Sequence, residues 1–213
     1  MIQLDNEGLT GHHLDGTRNR EHLLIAIEKE KLMVSAFDNG HSLQSLFSAL
    51  TEHAFQVELG VADPPLTDYL AELLCRFVRM DAVFRVRDTV GRRLEEVAEM
   101  MMEAEQRVGK PQRELHRHIG DFTLFWSGLY PEFLSRLKSP DRKDHLVDYC
   151  EQGKRSYRIA SMYGDQAEDE MGRVFRRLSD EFEICTMGLR CVRRELSRLP
   201  SQNRPSHWEA DCN

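Results

Sequence analysis

The stretch RELHRHIGDFTLFW, residues 113–126, carries the reading of the fold. Leu115, Ile119, Phe122 and Trp126 step by four, three and four residues, and Leu129 continues the series. That spacing puts them on one face of a helix, because each residue turns about 100° around the axis. Pro111 suits the first turn, where its missing N–H costs nothing, and Pro131 ends the pattern. Phe122, Phe125 and Trp126 straddle the apolar face and are predicted to be core.

The same periodicity recurs on both sides. Leu43, Leu46, Phe47, Leu50, Ala54 and Val57 predict a helix that Ser42 caps and Gly60 ends. Asp63-Pro64-Pro65 reads as a stiff connector, with the next helix opening at Leu66 or Thr67 and carrying Leu70, Leu73, Leu74, Phe77, Val78 and Phe84. Leu94, Val97, Ala98, Met101 and Val108 predict a helix running to Gly109. Leu146, Val147, Cys150 and Tyr157 predict another, to about Tyr163. From Met171 to Leu199 the apolar residues step by threes and fours for almost thirty residues, which predicts one long helix stopped by Pro200. Thr17 to Phe37 is read as helical, although residues 23–37 also suit a strand, and Asp38-Asn39-Gly40 reads as a turn.

The expectation is an all-α fold, a single-domain helical bundle of six or seven helices over residues 17–199. A flexible segment (1–16) precedes it and a disordered tail (200–213) follows. A chain of 213 residues can bury a sizeable core. The formal charge of −7 argues against a nucleic-acid partner. The five cysteines, Cys75, Cys150, Cys185, Cys191 and Cys212, are widely spaced with no Cys-x-x-Cys, which argues against a disulfide framework or a thiolate zinc site. Cys75, Cys150 and Cys185 fall on apolar faces. With no signal-like leader and no membrane-length apolar run, a soluble cytoplasmic protein is expected.

Function rests on the polar residues that interrupt the apolar stripes. His118 lies within the stripe, Glu114 and Asp121 flank it along one ridge, and His116 points away to solvent. Asp81 falls between Phe77 and Phe84, Glu105 borders its helix face, and Lys154 sits between Cys150 and Tyr157. Buried charges must be paired or hydrogen-bonded. One solution is a structural network: Asp81 with an arginine, Lys154 with Asp121 or Glu105, and His118 with a backbone carbonyl. Another is a metal site built from Asp81, Glu105, Glu114 and His118, with a donor set suited to iron, manganese or zinc. The i,i+4 spacing of Glu114 and His118 departs from the Glu-x-x-His signature of helical di-metal proteins.

Motif tests exclude more than they include. Gly153-Lys154-Arg155-Ser156 lacks the upstream glycine of a P-loop, where Asp148 stands. No Gly-x-Ser-x-Gly elbow exists for a hydrolase triad. Arg113 and His118 match the loose Arg-x-x-x-x-His pattern of the all-helical HEPN ribonucleases. That resemblance implies metal-independent RNA cleavage by Arg113 and His118, while Asp121 is a further catalytic candidate, beside Glu114 and His118, of a metal- or cofactor-dependent enzyme. The arginines of residues 76–93 and 173–198 read as solvated faces laced with ion pairs, with a partner surface or anionic ligand as the alternative.

The stretches LGVADPPLTDYLAELLCRF, HRHIGDFTLFWSGLYPE and DYCEQGKRSYRIAS resemble an uncharacterised bacterial family of hypothetical proteins, over most of residues 42–199. The resemblance implies a bacterial cytosolic origin and transfers no activity, cofactor or functional residue. The first expectation for function is therefore a non-enzymatic helical interaction or regulatory protein, with a homo-oligomer or protein partner engaged through residues 171–199. A metal- or cofactor-dependent helical enzyme and a HEPN-like ribonuclease are the alternatives.

Overall fold

The computed structural model describes residues 43–77, 80–163 and 169–199, with the side chains of Met80 and Asp81 also outside the description. The readings of residues 1–42 and 200–213, with Ser42, Val78 and Cys212, lie outside the described residues. Within them the fold is all-α, as expected. The helices are α1 (Leu43–Glu52), α2 (Pro64–Phe77), α3 (Met80–Val83), α4 (Val97–Gln106), α5 (Lys110–Leu129), α6 (Leu134–Leu137), α7 (Tyr149–Ser161), α8 (Glu170–Asp180) and α9 (Phe182–Arg198). The only β pairing among the described residues is an isolated bridge between Arg87 and Arg93.

The stretch read first forms the axis of the bundle. From Leu115 to Leu129 every α5 residue except Arg117 is buried. A helix buried all round is a core helix. It packs against α7, α9, α4 and α2, while α8 lies on α7. Thr123 returns its hydroxyl to the carbonyls of Ile119 and Gly120, so it adds no unsatisfied polar group. Phe122, Phe125 and Trp126 form the expected aromatic core with Phe77 and Tyr130.

Two of the crossings on α5 depend on glycine. A Cβ at Gly128 would lie 2.7 Å from the Leu189 Cβ of α9, and one at Gly120 would lie 2.8 Å from the Tyr157 ring of α7. Those separations are shorter than carbon atoms tolerate, so the backbones approach only because neither position has a side chain.

Four expectations are corrected. A wide turn, His53–Glu58, follows α1 and inserts an extra residue, so Phe55 faces the core and Val57 is 70 % exposed. Helix α2 begins at Pro64, because Asp63 accepts the Leu66 N–H and the two prolines occupy the first turn. Leu94 is buried from an irregular loop, and α4 starts only at Val97 and ends before Val108, which is 83 % exposed. Likewise α7 starts at Tyr149, capped by Asp148, leaving Leu146 89 % exposed.

The 171–199 stripe is also broken. Glu181 adopts φ −118°, ψ 30°, and divides it into α8 and α9. Helix α8 contacts α7 and α2, whereas α9 contacts α5 and α1, and one straight helix does not reach both. Phe182 just past the bend is fully buried against Tyr157.

The start of α4 is held from a distance. Asp144, buried in the turn Lys143–Leu146, accepts the N–H groups of Val97 (2.9 Å) and Ala98 (2.8 Å) and the Tyr149 hydroxyl (2.5 Å). It supplies the cap that a residue adjacent in sequence usually supplies.

Gly128→Ala is expected to destabilise the protein in urea unfolding. Overpacking costs about 1–3 kcal/mol and outweighs the roughly 1 kcal/mol that alanine gains over glycine in a helix. An unchanged or raised midpoint contradicts the close approach of α5 and α9.

Candidate functional site

Asp121 is 1 % exposed and collects donors from two neighbouring helices. Its Oδ1 accepts the hydroxyls of Tyr69 on α2 (2.6 Å) and Tyr157 on α7 (2.8 Å). Its Oδ2 accepts from Arg76 at 2.9 Å and lies 3.8 Å from Arg117 Nε, which itself donates to the Tyr69 oxygen at 3.1 Å. Arg76 and Arg117 both lie over the Tyr69 ring, 5.4 and 5.5 Å from its centroid. Burial and the Asp121 charge push both tyrosines far above their ordinary range, so they stay protonated as donors. Burial works against the Arg117 charge, but Tyr69 and Asp121 override it and raise its pKa. Three hydrogen bonds and the nearby Arg117 charge hold the buried carboxylate, so it is committed to the fold.

His118 is buried beside Phe77 and Phe122, with ring centroids 5.9 and 6.3 Å away. It bonds the Val83 backbone, as expected, while its Nε2 has no partner. Burial, and then the nearby Arg85, push its pKa down to about 4. His116, expected in solvent, is buried as well, and burial lowers its pKa too.

The other candidates do not join these two. Five residues separate Arg113 from His118, about 140° around the helix. Arg113 turns to α7 and α8, where it donates to the Ala160 carbonyl (3.1 Å) and pairs with Asp169. Glu114 is half exposed and pairs with Arg117 at 3.6 Å. Glu105 is exposed. The buried acids of α4 are Glu99, held by Lys143 and Arg92, and Glu103, held by Arg107. The Asp81 side chain lies outside the described residues. Lys154 pairs with Glu183 and Glu151 instead of the expected Asp121 or Glu105, because Arg76 and the two tyrosines already occupy Asp121. Among the described residues no group of three or more His, Cys, Asp and Glu side chains is placed to hold a metal ion.

A second polar region is open. A groove of about 760 Å³ lies where the end of α5, α6 and the first turns of α7 and α9 meet. Leu134, Tyr149, Phe182, Ile184 and Met187 supply its apolar surface, and Lys138, His145, Asp148, Glu183 and Arg190 its charge. Nothing in the sequence pattern brought these residues together, since they come from four chain segments. Cys150 lines the groove too, with burial and then Glu183 pushing its thiol up to about 11, which disfavours the nucleophilic thiolate.

Compared with protein-family models, with curated proteins and with solved structures, the chain matches none. No described helix is long and apolar enough to cross a membrane.

Asp121→Ala is expected to cost about 3–5 kcal/mol in chemical denaturation, the range for removing one partner of a buried ion pair. Tyr157→Phe removes one hydrogen bond and costs about 1–2 kcal/mol. Equal, small effects remove Asp121 from its structural role. A neutral buried His118 contributes stability that is fully present above its unfolded pKa of about 6.5 and is lost as the pH falls toward 4. The loss attributable to it approaches about 3 kcal/mol, and unfolding curves from pH 7.5 to 4 for His118→Met are expected to be flatter than wild type by that amount.

Proposed function

We propose that this chain is a non-enzymatic domain of the interaction or regulatory kind, and that it binds its ligand in the groove beside α9. One contrast supports the reading most. The polar groups of the Asp121 cluster are buried and spent on one another, whereas the groove keeps both charged and apolar side chains open. Pockets of 300–1,000 Å³ are the usual size for small-molecule sites.

The reading narrows the expected partner surface of residues 171–199 to Ile184, Met187 and Arg190. It gives self-association little support, since Met171 and Met187 are the only exposed large apolar residues described on that segment. The metal-dependent alternative loses support from the exposed Glu105 and the half-exposed Glu114, which pairs with Arg117, and the ribonuclease alternative from the separation of Arg113 and His118. A bacterial cytoplasmic setting agrees with cysteines that are free among the described residues.

A fragment library screened by methyl NMR on the full-length protein tests the proposal. Binders are expected to shift the Ile184 and Met187 methyl signals, and Met187→Arg is expected to abolish the shift at Ile184 without lowering stability. A library with no response at these methyls removes the groove as a binding site.

A further inference from the structure

We draw no further inference here: the strongest candidate, the groove where the end of α5, α6 and the first turns of α7 and α9 meet, belongs to the site already described, and its lining of Lys138 and Arg190 beside Asp148 and Glu183 selects no class of occupant.

Discussion

The buried carboxylate of Asp121 is the constraint around which the bundle is organised. An unpaired charge in that position costs several kcal/mol, so the fold exists only if donors converge on it. They come from α2 and α7, which fixes those helices against α5 in rotation as well as in distance, and the Arg117 charge on α5 lies beside them. The arginines then reach outward over aromatic rings. Arg113 and Arg117 lie over Phe175, so the polar cluster also seats α8. Hydrophobic burial supplies most of the driving force, but it is non-directional, and the hydrogen bonds to Asp121 select one arrangement.

At the opposite end of α5 the constraint is steric. Gly128 admits Leu189, and Gly188 in turn admits Phe55, so α9 lies close to α5 and to the turn after α1. The bend at Glu181 lets α9 follow that course while α8 stays on α7. The first turns of α7 and α9 pack on each other through Phe182 and Gly153 and present their outer side chains to α6 across the groove. The closed cluster and the open groove thus divide the labour, one specifying the fold and the other leaving chemistry available.

The candidate residues divide along the same line. His118 was legible as a buried histidine from its place in the stripe, and so was its backbone partner. His116 was misread because the opposite face of α5 looks polar, while in the bundle that face is covered as well. Glu105 was placed at the border of a helix face that also took in Val108, which lies exposed beyond the helix end, and the buried acid is Glu103. Tyr69 carried a faint signal, four residues before Leu73 on the apolar stripe of α2. The groove carried none.

Sequence alone determined what depends on neighbours within a turn or two. That covers the all-α class, the extent of α5 between Pro111 and Pro131, the positive φ of Gly60, and the aromatic core of residues 122–126. Helical periodicity and the backbone limits of proline and glycine act locally, so they can be read locally. Tertiary structure decided the partners of Asp121, 36 to 52 residues away, the break at Glu181, and the meeting of four segments at the groove. These follow from which surfaces fit against α5 at its glycines and which donors arrive there, and no local pattern encodes that outcome.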